Sequence, residues 1–246
     1  MMRVLLEAPI LTKSGYGEHS RLVFEALNKR NDLEIMINPL RWGNTTFESP
    51  TGDVLTAIQA LATYIESCKS SGTNPEFNLQ IHVGIPNEFE KKAPFSVCVT
   101  AGIETDRVDP GWLVKTHQGI DKIIVPSSHA RDGFVNTNYE VINNTNNTKS
   151  VINCACPVDV IAYPIKEPEG NPLDIDFETN FNFLSVAMVG PRKNLEMTIS
   201  GFIEEFRDNS DVGLVLKTNL SRNSIIDRLG TLKSIKSLVD KCGPKK

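Results

Sequence analysis

Hydrophobic and polar residues follow two alternating rhythms along the chain. Short apolar runs at residues 3–7, 33–37, 79–83, 95–100 and 122–125 read as buried strands. Between them lie stretches with helical spacing. Residues 18–30 carry Leu22, Val23, Ala26 and Leu27 on one face and end in Lys29-Arg30, charges that suit a helix C-terminus. Residues 54–68 place Val54, Leu55, Ile58, Leu61, Ala62 and Ile65 at the same spacing, and residues 111–117 and 127–135 read as shorter helices. Repeated strand–helix units with wholly apolar strands predict an α/β fold. The expected core is a Rossmann-like parallel sheet covered on both faces.

The rhythm breaks over residues 136–182. Asn143, Asn144, Asn146 and Asn147 cluster there, and Pro157, Pro164, Pro168 and Pro172 follow. This stretch reads as a surface excursion leading into a linker. The pattern then restarts with a strand at 183–189 and a helix carrying Leu195, Ile199, Phe202, Ile203 and Phe206. A strand at 212–217 and a helix with Ile225, Leu229, Leu232 and Leu238 complete it. That βαβα run matches the first part of a second Rossmann-like domain. The expected organisation is an N-terminal domain over 1–165, a linker over 166–180 and a partial second domain over 181–246.

Composition narrows the function classes. Among 246 residues, 40% are hydrophobic and 23% charged, enough to bury a core. Lysine and arginine number 26 against 30 acidic residues, a net charge of −4, which speaks against a nucleic-acid-coating protein or a polybasic membrane anchor. The five cysteines are odd in number and include no C-x-x-C pair; they read as reduced thiols, not as a disulfide framework or zinc site. No apolar run approaches the ~18 residues of a membrane span, and Glu7 interrupts any signal-peptide core. The expectation is a soluble cytoplasmic protein without a transmembrane segment, with peripheral membrane contact left open.

Three loops after strands could carry chemistry. In the first, Ser14-Gly15-Tyr16-Gly17-Glu18-His19-Ser20 opens a helix directly after the first strand. Two glycines allow close backbone approach, and helix-start N–H groups suit an anion or a sugar hydroxyl; a tight turn is the alternative. It is no Walker A loop, because no Gly-Lys-Ser/Thr follows. As a dinucleotide fingerprint it lacks the third glycine, where Ser20 stands, and the second strand lacks a ribose-binding acid. The second loop, Gly190-Pro191-Arg192-Lys193-Asn194, places two cations beside a helix start, with Asn194 expected as N-cap. Arg192 could chelate a diphosphate and Lys193 act as a point charge, with Lys217 at the end of the next strand reaching the same anion; a solvated basic turn is the alternative. The third loop offers Glu104 beyond the strand at 95–100, as a base or as a holder of acceptor hydroxyls. His82 and Cys98 sit in apolar strands and read as core, and no metal site is legible.

Taken in order, three stretches resemble GT-B-fold glycosyltransferases close to retaining family 4, of a type met in phage and marine bacteria. They are Ser14–Arg21 in the first loop and helix, Ala101–Asp106 with Gly111-Trp112-Leu113 and Ile123–Ala130, and Leu184-Ser185-Val186 with Gly190–Leu195. The resemblance implies metal-independent, cofactor-free transfer of a sugar from a UDP- or GDP-sugar to a glycan, lipid or protein acceptor, in a cleft between two sheets. It implies donor diphosphate contacts from Lys193 and, in place of the family's arginine, Arg192; the reading of the loops adds Lys217 to these, Gly15, Tyr16, Gly17 and His19 as acceptor or donor contacts, and Glu104 as the catalytic residue. The family's arginine falls near Met188 and its first-domain histidine near Gly102, neither matched here. The family's acidic donor-binding motif falls beyond Lys246, so the expectation is a second domain cut short: a fragment, a truncated product or half of a split enzyme. A truncated binding module and a nucleotide-dependent oxidoreductase are the competing readings.

Overall fold

The structure is a computed structural model and describes residues 1–101, 103–143, 147–165, 170, 172 and 174–243. The chain divides into two compact units, one formed by Met1–Gly43 and Phe47–Lys166, the other by Asn44–Thr46 and Glu167–Lys246.

The first unit is α/β and Rossmann-like. Its elements are β1 (Met2–Ala8), α1 (Gly15–Asn28), β2 (Leu33–Pro39), α2 (Gly52–Ser70), β3 (Leu79–Val83), β4 (Phe95–Val99), α3 (Pro110–His117), β5 (Lys122–Val125) and α4 (Ser128–Val135). A hairpin of β6 (Tyr139–Asn143) and β7 (Thr148–Ile152) follows, and then β8 (Val158–Val160). Six strands form one all-parallel sheet in the order β2-β1-β3-β4-β5-β8. Alternation along each strand sends successive side chains to opposite faces. Val4, Leu6 and Ala8 pack with Phe24 of α1, whereas Leu5 packs with Met36 and with Leu61 of α2. In β4, Val97 and Val99 join the first of these clusters, and Cys98 joins a third with Leu113 of α3 and Phe134 of α4. Both faces are therefore apolar, as the continuous hydrophobic runs in the sequence require.

The stretch read as an excursion contains three strands. β6 and β7 pair antiparallel, and Asn147, just before β7, has φ 53°; Asn144, Thr145 and Asn146 lie outside the described residues. β8 adds the sixth strand to the parallel sheet. It carries Asp159 between two valines, and the Asp159 carboxylate meets Lys122 Nζ at 2.6 Å. A charged, three-residue edge strand leaves no apolar run to detect.

One polar network crosses the sheet among the apolar clusters. The Glu7 carboxylate is buried at 3% exposure. Its Oε1 accepts from Asn38 Nδ2 at 2.9 Å and from Lys92 Nζ at 2.7 Å, and its Oε2 accepts from Gln80 Nε2 at 2.7 Å. Gln80 also donates to the Glu90 carbonyl and accepts from Lys92 N and Ser96 Oγ. The network thus ties β1, β2, β3, β4 and the β3–β4 loop together. Every oxygen of the carboxylate has a donor, the condition under which a buried charge is tolerated.

The second unit holds β9 (Phe181–Val186), α5 (Leu195–Phe206), β10 (Val212–Lys217) and α6 (Ile225–Lys241), with β9 and β10 paired parallel. Phe181, Phe183, Phe202 and Phe206 form an aromatic cluster with ring centroids 5.0–6.1 Å apart. Ser224 caps α6 by accepting from Asp227 N. Among the described residues, no helix is long and apolar enough to cross a membrane.

Burial raises the Glu7 carboxyl, but the bonds from Lys92, Asn38 and Gln80 outweigh it and hold the group below its ordinary value. A depressed folded-state pKa gives stability that is present above the unfolded value, about pH 4, and is lost as pH falls through the folded value. Lys92→Met removes one donor from a buried charge and should cost about 1–3 kcal/mol at neutral pH. Urea unfolding should show the gap to wild type closing as Glu7 protonates; equal stabilities at neutral pH would refute this role for the pair.

Candidate functional site

The order β2-β1-β3 reverses direction at β1, so the loops after β1 and β3 diverge and leave a crevice at the carboxyl edge of the sheet. The β1–α1 loop borders this crevice. Thr12 turns the chain, with its N and Oγ1 both bonded to the Pro9 carbonyl. Ser14 caps α1, its Oγ accepting from Gly17 N at 3.0 Å. Arg21, one turn further along the helix, reaches back and donates from Nη1 to the carbonyls of Ile10 and Thr12 at 2.8 and 3.1 Å. The loop is therefore fixed by its own helix before any ligand arrives.

The two glycines have different reasons to be there. A Cβ on Gly17 would lie 1.9 Å from the Thr12 carbonyl oxygen, whereas one on Gly15 would meet nothing within 4 Å. Gly17 answers an internal packing demand, and Gly15 leaves open space beside the cavity.

Tyr16 ties the loop to β4. Its hydroxyl accepts from Ala101 N at 3.1 Å and pairs with Thr100 Oγ1 at 3.0 Å, and its ring lies 4.4 Å from that of Trp42. Burial raises its pKa, so the hydroxyl stays protonated. This contact joins the first and third candidate loops at one edge. Glu104 lies exposed further along the post-β4 loop, and Gly102, where the resembling family has its histidine, lies outside the described residues.

A cavity of about 420 Å³ opens beside the α1 start, lined by Gly15, Tyr16, His19 and Leu22, by Ala101 and by Tyr163-Pro164. Glu18 completes the lining, and Glu104 does not take part. His19 stands edge-on to the Tyr163 ring at 4.7 Å. Its Nδ1 is buried with no hydrogen-bond partner among the described residues. Desolvation lowers the His19 pKa, leaving a neutral imidazole at neutral pH that is suited to accept a proton or a hydroxyl hydrogen bond. Tyr163 is a wall the sequence reading missed, because Tyr-Pro in a proline-rich stretch carries only a linker signal; the short β8 brings it here. A second cavity of about 300 Å³, lined in part by Glu7, Asn38, Arg41, His82 and Lys92, opens by the polar network. His82 is 2% exposed and its Nε2 is buried without a partner among the described residues.

In the second unit, Arg192 and Lys193 are exposed in a 3-10 turn, Pro191–Lys193, between β9 and α5. Lys217 ends β10 opposite Val186, the end of β9, so all three cations lie at the carboxyl edge of that sheet. Asn194 was expected to cap α5 but makes no side-chain cap bond. At φ 45° it is left-handed, not extended, and an extended N-cap is what aims the side-chain oxygen at the helix N–H groups. A cavity of about 260 Å³ lies between α5 and α6 and is lined by Leu195, Ile199, Ile235 and Leu238 among others, with none of the three cations in its lining. Among the described residues, no group of three or more His, Cys, Asp or Glu could hold a metal ion.

Gly17→Ala should lose about 1–3 kcal/mol or more from overpacking, and Gly15→Ala should stay within about 0.5 kcal/mol of wild type; thermal unfolding of both variants checks the contrast. His19 should titrate below about 6.5 by NMR. With its folded pKa depressed, its contribution is present above that value and is lost as pH falls through the folded pKa. A midpoint at or above the ordinary value would contradict the buried imidazole. No protein-family profile matches the chain and no curated protein matches it, which leaves the geometry as the ground for a functional reading.

Proposed function

We propose that the chain is a glycosyltransferase of the GT-B kind, which moves a sugar from a nucleotide-activated donor to an acceptor hydroxyl. The observation that carries this reading is the crevice at the strand-order reversal, where Tyr16, His19 and Tyr163 surround a cavity of about 420 Å³. Aromatic faces beside a hydrogen-bonding imidazole suit a hydroxyl-bearing ring: the rings cover its C–H faces, and the polar groups take its hydroxyls. Tyr16 spends its hydroxyl on Thr100 and Ala101, so it shapes the acceptor site and leaves proton chemistry to others. Neutral His19 lines the cavity as a proton acceptor, and Glu104, on the adjoining loop, takes the catalytic carboxylate role. In the second unit, Lys193, Arg192 and Lys217 hold the donor diphosphate and offset its charge as the sugar leaves.

Calorimetric titration of the full chain with UDP- and GDP-sugars and with NAD(P) tests the reading. Nucleotide sugars should bind and NAD(P) should not. Lys193→Ala should weaken donor binding by about ten- to a hundred-fold, the value of one charge-assisted contact. Glu104→Gln should leave donor affinity intact and lower the transfer rate by about 10²–10⁴. Binding of NAD(P) in place of the sugars would favour an oxidoreductase. Glycan binding with no transfer would favour a binding module.

A further inference from the structure

The β7–β8 connection holds two thiols that neither the fold nor the proposed transfer uses. All five cysteines are free, and Cys154 and Cys156 are half-buried where Cys68 and Cys98 are buried. The residues on either side of Cys154 are pinned to α3. The Asn153 carbonyl is bonded to His117 Nε2 at 2.9 Å, and Ala155 N donates to Thr116 Oγ1 at 2.9 Å. Cys154 and Cys156 both pack against the cluster that contains Cys98 and Leu113 of α3. Cys154 Sγ donates to the Cys156 carbonyl at 3.4 Å, which holds the first thiol against the second residue. The pair precedes β8, at the amino edge of the parallel sheet and therefore at the end opposite the crevice.

We propose that Cys154 and Cys156 form a vicinal dithiol redox site, oxidised to an internal disulfide by exchange with a small-molecule disulfide. The roles of the two sulfurs differ. The Cys156 thiol and backbone, with the His117 ring, outweigh burial and bring the Cys154 thiol down to about 6. Cys156 is pushed up, first by its bond to Cys154 and then by burial. The His117 ring, bonded to the Asn153 carbonyl next to Cys154, favours Cys154 as the attacking thiolate, with Cys156 the resolving thiol. The Cys154 thiolate attacks one sulfur of the small disulfide, forming a mixed disulfide and expelling a thiolate. That thiolate or solvent takes the proton of Cys156, whose sulfur then attacks Cys154 Sγ and expels the second small thiol. Two protein thiols are oxidised and one disulfide is reduced to two thiols. Cys98, fully buried and raised to about 12, stays out of the exchange.

The test is to incubate the full chain with glutathione disulfide, quench with iodoacetamide, and map the products by mass spectrometry. The expected product has lost two hydrogens and links Cys154 to Cys156. Cys156→Ser should stop at one glutathione on Cys154. At about pH 6, Cys154 should be alkylated roughly tenfold faster than an ordinary exposed thiol, since its larger thiolate fraction outweighs its lower nucleophilicity. The wild-type map stands whether or not the variant folds. A stable glutathione adduct with no internal disulfide, a disulfide through other cysteines, or ordinary alkylation of Cys154 would overturn the proposal.

Discussion

The reversal of strand order at β1 is the constraint on which the rest of the first unit depends. β2 lies to one side of β1, and β3, β4, β5 and β8 lie to the other. In a parallel sheet every connection crosses a face, so the loops leaving the carboxyl ends of β1 and β3 part company at that point. A crevice results from topology alone. Local chemistry then decides what lines it. Ser14 starts α1 at the crevice, Arg21 pins the loop behind it, and the Tyr16 hydroxyl joins it to the end of β4.

Polarity inside this unit is placed with equal economy. An ionised carboxylate in β1 would be ruinous if unpaired, yet Glu7 receives three donors from three different segments. His19 and His82 are the opposite case: each has a buried ring nitrogen without a partner among the described residues, and desolvation lowers the pKa of both. Such groups cost stability unless something outside the chain engages them. His19 lines the cavity by Tyr163 and His82 the one by the Glu7 network; the aromatic walls Tyr16 and Tyr163 are what make the first of these anchor the functional reading.

The strands at Leu79–Val83 and Lys122–Val125 and the helix carrying Val54 to Ile65 were legible because buried parallel strands and one-sided helices leave strong periodic patterns. β8 was not, since three residues around Asp159 make no pattern, and with it went Tyr163. The β6–β7 hairpin hid behind its asparagines. The glycines at 15 and 17 were visible as a pair, but only contact with the Thr12 carbonyl separates the one that packing demands from the one that leaves open space. The approach of Cys154 to Cys156 likewise depended on α3 holding Asn153 and Ala155, a long-range contact that spacing does not encode.

The central claim is that ligand engages the crevice beside the α1 start. Backbone amide shifts measured while a UDP- or GDP-sugar and a simple glycan acceptor are added, singly and together, test it most directly. The account predicts that the acceptor perturbs Gly15 to His19, Ala101 and Tyr163, with the His19 ring resonances moving in the same titration. Perturbations confined to residues away from these, with Gly15 to His19 unmoved at saturation, would contradict it.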